Sequence, residues 1–303
     1  CVFLSLFARV RRWGFVVHAT EPASFRDMFT ATQTGMLVNC VAPARLGDVV
    51  RAFVFARQTR MPLARSLTLV ALDRINDVIA LVAVLVFALA TFPVEAGIEF
   101  PPGAFGNAET IFVSNEIIRP AALSLIVVLL AAVATLVVLY FNRDLVLHAL
   151  AKILGRVSPR TAGWLKKLFV DFYDGMHVFR SPLQMARAIA WSFITWGLVA
   201  LSVYLLLRGF HIDAHWHVPL LILAILGVFT SVTVTPGMIG QYHVPFVAGV
   251  LIALPGQDVN VVKAASILAH LTALLPVVIL GVLSMVYGRL GFFDLVPGKG
   301  GER

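Results

Sequence analysis

The chain has 303 residues, 59% of them hydrophobic and only 13% charged, where a soluble domain carries roughly 25% charged residues. Its 24 basic and 16 acidic residues leave a formal charge of +8. The basic residues flank apolar runs, so topology bias and anionic lipid headgroups account for them and no nucleic-acid partner is expected.

Several runs approach or exceed the ~20 apolar residues that a membrane helix needs, which predicts an all-α polytopic membrane protein, residues 1–303 forming a single transmembrane domain. Cys1 and Cys40 both lie in apolar segments and supply no disulfide or metal framework. The chain begins at Cys1 without a methionine, so its first helix is expected to be cut, with further spans before it. No cleavable signal peptide is read.

In chain order, residues 2–17 read as the end of a helix closed by Arg9, Arg11 and Arg12 beside Trp13. Ser24, with Asp27 three residues on, forms a capping pattern that opens a helix running to about Val41. Pro43 and Gly47 break it, and a short helix at about 48–57 leads to Arg57, Arg60 and Arg65. A full span is predicted at 66–91, then an acidic outer loop at 92–119 with Glu95, Glu99, Glu109 and Glu116. The span at 120–141 carries no charge. The basic segment 142–185 is placed on the cytoplasmic side, where Trp164, Leu168, Phe172 and Met176 recur at helical spacing. An interfacial helix is one reading of that segment, and a small soluble bundle the other.

A span at 186–208 returns outward to a loop holding His211, His215 and His217, read as wet interfacial histidines rather than a metal site. Residues 218–234 re-enter and stop at Thr235-Pro236-Gly237, and a second piece at 239–254 ends at Leu254-Pro255-Gly256. The last span, 261–287, ends near Arg289, which puts the C-terminus in the cytoplasm and the chain in a bacterial inner membrane.

Two parts of the chain thus share one grammar: apolar helix, Pro/Gly break, short helix, full span. With Pro43 set against Pro236, Gly47 falls on Gly240, Phe53 on Phe246, Ala71 on Ala264, Leu81 on Leu274 and Asp77 on His270, without a gap. The charge rule orients the spans at 66–91 and 261–287 oppositely, so residues 25–91 and 218–287 are predicted to be inverted repeats, the plan of many secondary transporters. Each break exposes backbone groups that membrane depth tolerates only inside protein or along a wet cavity. Two re-entrant hairpins, about 25–57 and 218–254, are expected, with helix breaks at Pro43, Gly47, Pro236, Gly237 and Gly240. At 1.5 Å per residue, Asp77 and His270 lie about 16 and 13 Å into their spans, near the midplane.

Charge inside a span is the functional signal. Each ionised group near the bilayer centre costs roughly 2.5–3.5 kcal/mol on insertion scales. The candidate substrate path comprises Asn39, Arg45, Asp48, Arg51, Asp73, Arg74, Asp77, Gln241, His243 and His270. Arg45, Arg51 and Arg74 suit bidentate recognition of a phosphate. Asp48, Asp73 and Asp77 would balance them, and His243 and His270 would serve as switch or proton carrier. The plainer alternative is that arginine and aspartate pair only to stabilise the hairpin tips. A third reading, Mg²⁺ held by Asp73 and Asp77 in a lipid-phosphate enzyme, is disfavoured by the nearby arginines. No cofactor and no metal are expected.

Asn39, Pro43, Arg45, Gly47, Asp48 and Arg51, then Asp73, Arg74 and Asp77, then Pro236, Gly237, Ile239 and Gly240, resemble in order three motifs of the lysylphosphatidylglycerol synthase transmembrane region family, also described as flippase-like. The resemblance covers nearly the whole chain. It implies an integral membrane protein that moves a lipid, or helps to move it, between leaflets. It also implies a lipid-modifying enzyme as a partner, with oligomeric assembly left open. Asp48 stands where the family usually has Glu, which keeps the charge. Met238 and His243 stand where it usually has Gly and Glu, which removes a carboxylate. The soluble aminoacyl-transferase domain does not follow Arg289, so the chain is not expected to be that synthase by itself.

The expected activity is therefore a flippase or scramblase for a phospholipid or other anionic lipid. A membrane-embedded transferase acting on a phospho- or polyprenyl-linked lipid, and a non-transporting partner of such an enzyme, are the alternatives.

Overall fold

The computed structural model describes residues 1–42, 45–92, 97–114, 181–230 and 235–288, with scattered positions between 116 and 173. Pro43, ten of the 22 residues of the span predicted at 120–141 and most of the 142–185 segment lie outside the described residues. The helices whose full bounds fall among the described residues begin with α1 (Val2–His18), α2 (Phe25–Val41), α3 (Leu46–Thr59) and α4 (Leu63–Thr91). After them come α5 (Pro182–Gly209), α6 (Val218–Phe229), α7 (His243–Ala253) and α8 (Val259–Tyr287).

Local chemistry sets the ends of these elements. Ser24 Oγ accepts the Asp27 N–H at 3.1 Å and starts α2. Asp258 Oδ1 accepts the Asn260 N–H at 2.7 Å and starts α8, and Pro182 opens α5 where its missing N–H costs nothing. α5 and α8 have 28 and 29 residues and are long and apolar enough to cross a membrane. α4 also has 29 residues, about 44 Å at 1.5 Å per residue.

Three differences from the sequence reading have physical causes. α1 is a 17-residue helix that Arg9 and Arg12 do not close; both lie within it, and Arg12 and Trp13 are fully buried. Partners on α4 make that possible. The loop at 92–119 contains a short antiparallel hairpin, β1 (Ile98–Phe100) with β2 (Ile111–Val113), in register Ile98 to Val113 and Phe100 to Ile111. Three-residue strands are too short to announce themselves by alternation. The entering limb of the second broken pair ends at Phe229, short of Thr235, because the chain leaves helical geometry at Thr230.

Apolar contacts gather in two main clusters. One joins α1, α2, α3 and α4, with Ala188 of α5, around Trp13, Met28, Phe55 and Leu69. The other joins α5 to α8 with the hairpin around Leu207, Ile222, Phe246 and Val262. Glycine permits the closest crossings. A Cβ on Gly47 would lie 1.9 Å from the Gly35 carbonyl oxygen, and one on Gly35 would lie 2.5 Å from the Gly47 oxygen, so α2 and α3 meet backbone to backbone.

Candidate functional site

The cluster is built around two carboxylates on α4. Asp73 accepts from Arg12 Nε and from Arg51 Nη1, each at 2.8 Å, and all three side chains are almost fully buried. The Arg51 guanidinium also lies 3.9 Å from the Trp13 ring, while Trp13 Nε1 donates to the Leu69 carbonyl at 3.1 Å. One aspartate thus ties α1, α3 and α4 together. Asp77, four residues on and so on the same face, accepts from both terminal nitrogens of Arg12, from Arg9 at 3.3 Å and from Arg74 at 3.1 Å. Arg74 also donates to Asp48 at the start of α3.

With Arg45, the cluster among the described residues holds five guanidinium groups (Arg9, Arg12, Arg45, Arg51, Arg74) against three carboxylates (Asp48, Asp73, Asp77). The excess is positive. Its free face lines a cavity of about 230 Å³, into which Arg9, Arg45 and Arg74 contribute from α1, the first break and α4. Asn39, Cys40, Tyr242 and His270 also line it. Among the described residues, no aspartate or glutamate lines it. The Nε groups of Arg9 and Arg74 are buried without a hydrogen-bond partner.

The two breaks meet at this cavity. Arg45 adopts the left-handed conformation, φ 54°, and its Nη2 donates to the Thr230 carbonyl at 2.7 Å. Gln241 Nε2 donates to the neighbouring Phe229 carbonyl at 2.6 Å. Both bonds satisfy carbonyls that the end of α6 leaves without helical partners, and Arg45 adds a cation at the negative end of that helix. Asn39 Oδ1 accepts the Gly47 N–H at 2.8 Å, which caps the start of α3. At the second break, Gly237 (φ 64°), Met238 (φ 57°) and Gly240 (φ 79°) turn the chain through left-handed backbone, with Pro236 opening the single 3-10 turn between them. Glycine adopts that region freely, and Met238 bears the strain.

A polar chain leads away from the cavity on the α7–α8 side. His270 Nδ1 and His243 Nε2 are 3.2 Å apart, and His243 Nδ1 lies 3.3 Å from Ser266 Oγ. Tyr242 stacks on His270 at 4.8 Å between centroids. In the outer loop, His215 and His217 stack at 5.6 Å, and Phe92 packs on His217.

The residues read from the sequence therefore fall into several groups. Asn39, Arg45, Arg74, Gly237 and His270 line the cavity, Asp48, Asp77 and His243 bond lining residues, and Gln241 holds the Phe229 carbonyl at the end of α6. Arg51 and Asp73 sit apart, locked in the buried ion cluster. Arg9 and Arg12 were missed. They look like charges ending a helix, and the overlooked signal was their spacing of three residues within an apolar stretch, which puts both on one face. Tyr242 gave no sequence signal.

No curated protein and no solved structure matches the chain. The family described as lysylphosphatidylglycerol synthase TM region matches residues 1–281. That span takes in α1 through most of α8 and every residue of the arginine cluster, so the chain belongs to this integral membrane family of lipid-related proteins.

Proposed function

We propose that the cavity receives the anionic headgroup of a membrane lipid and that the protein moves this lipid between leaflets, as a flippase or scramblase rather than an enzyme. The observation that carries the reading is a cavity wall with three guanidinium groups and, among the described residues, no carboxylate. Asp48 and Asp77 hold Arg74, and Asp77 holds Arg9, from behind. These arginines are thus oriented without being covered. Guanidinium forks aimed into one hollow fit phosphate oxygens and repel divalent metal.

In this reading α2–α3 and α6–α7 are re-entrant hairpins of two inverted repeats, entering from opposite sides of an inner membrane with the C-terminus cytoplasmic. Two sequences of broken helix pair and 29-residue helix, and the meeting of both breaks at the cavity, support that arrangement. The His270–His243–Ser266 chain offers a path for a proton leaving the cavity. A lipid-modifying enzyme would be a natural partner, supplying or consuming the lipid that is moved.

The test is leaflet-to-leaflet movement of fluorescent lipids in proteoliposomes. Protein-dependent movement of anionic lipids is expected, falling at least tenfold in Arg9→Gln/Arg74→Gln. Movement equal to that of empty liposomes over a broad lipid panel would overturn transport. A modified lipid formed only with a donor substrate would assign a transferase instead.

A further inference from the structure

A second chamber, of about 150 Å³, lies between α1, α5 and α8 and shares Arg9, Met36, Tyr242, Ala273 and Val277 with the arginine-lined cavity. Its remaining walls are mostly aliphatic: Leu6 from α1, Val199, Val203 and Leu206 from α5, and Ala269 from α8. Three hydroxyls also face it, but each is already spent on its own helix. Ser5 donates to the Val2 carbonyl at 2.7 Å, Ser202 to Val199 at 2.7 Å, and Thr272 to Ala269 at 2.9 Å. The chamber is therefore apolar in its chemistry although serine and threonine appear on its walls. Thr272 is exposed at the chamber's edge, so the space reaches the flank of the protein. Apolar cavities of about this size stay dry and take up a benzene-sized solute, which corresponds to on the order of six chain carbons.

Charge and oil thus meet at one residue. Arg9 stands on the wall common to both spaces, with one terminal nitrogen on Asp77 and its Nε unpartnered. We propose that the chamber seats one acyl chain of the lipid whose headgroup the arginine cavity holds, so that the ligand is an anionic lipid gripped by headgroup and chain together. The inference rests on the headgroup reading above and goes past it, because a path for headgroups alone would leave both chains in the bilayer. Chains in the bilayer are already in oil, so the seat adds little hydrophobic driving force. What it adds is position and selectivity: phosphate at Arg9, Arg45 and Arg74, with the first methylenes beyond Tyr242.

The experiment uses the full chain purified in nanodiscs with phosphatidylglycerol that bears a photoreactive diazirine on one acyl chain. The crosslink should map to Val203, Leu206 and Ala269. Filling the chamber with Ser202→Trp should remove those crosslinks and weaken phosphatidylglycerol binding, read by native mass spectrometry, about tenfold. Thermal stabilisation by glycerol 3-phosphate, which has no chain, should stay within twofold of wild type and reports that the variant is folded. Val199→Trp fills the same space from another position and serves if Ser202→Trp does not fold. Crosslinks confined to the outer faces of α5 and α8, or lipid binding unchanged in both variants, would overturn the chain seat and leave the headgroup site standing. Wild-type protein that binds neither glycerol 3-phosphate nor the lipid would overturn both.

Discussion

Asp73 and Asp77 are four residues apart on one helix and carry different burdens. Asp73 is enclosed with Arg12 and Arg51, so Asp73→Asn leaves the buried Arg51 without its counter-charge and Arg12 with Asp77 alone. Breaking a buried pair from one side costs about 3–5 kcal/mol, and a large fall in the thermal midpoint of the detergent-purified protein is expected. Asp77 is partly exposed and, besides accepting from the buried Arg12, holds two arginines that face the cavity. Asp77→Asn leaves Arg12 its bond to Asp73 and should therefore cost less stability than Asp73→Asn, while weakening glycerol 3-phosphate binding severalfold in the same melting assay. The sequence made Asp73, Arg74 and Asp77 visible because charge interrupts an apolar run. It did not reveal which aspartate was structural, since that depends on α1 crossing α4 and bringing Arg12 between them.

At the level of the elements, the helix breaks were legible and their consequences were not. Proline and glycine mark where α2 yields to α3 and α6 to α7, and the chain leaves helical geometry near both marks. Nothing in the spacing tells that Gly47 is pressed on Gly35, or that Asn39 reaches the Gly47 N–H. Gly47→Ala would put a methyl group within 1.9 Å of a backbone oxygen. Overpacking of this kind costs about 1–3 kcal/mol or more, and backbone atoms cannot yield as side chains do. Gly47→Ala should lower the melting temperature and separate α2 from α3. Gly197→Ala, at a position where a Cβ meets nothing within 4 Å, should leave it unchanged. The outer hairpin escaped detection because each strand is three residues long and its pairing is held by packing on α7, together with Lys263, whose Nζ donates to the Gly103 carbonyl.

For the whole molecule, the helices α1–α4 and α5–α8 pack through one another, α1 against α5 and α2 against α8, and among the described residues few polar contacts bridge the two sets. Arg45 is one, reaching from the first break to the end of α6. Arg45→Met would leave the Thr230 carbonyl without that donor, at a cost of about 1–3 kcal/mol if the carbonyl stays buried. The expected outcome is faster amide exchange on both sides of the α6–α7 break, with exchange in α1 and α4 unaltered. The buried ion cluster also bears on how the chain enters its membrane. Arg12 precedes Asp73 by 61 residues and Asp77 by 65. Until α4 leaves the ribosome, α1 carries arginines whose lone insertion costs roughly 2.5–3.5 kcal/mol each. The expectation is that α1 completes its insertion only when the aspartates of α4 arrive to receive its arginines.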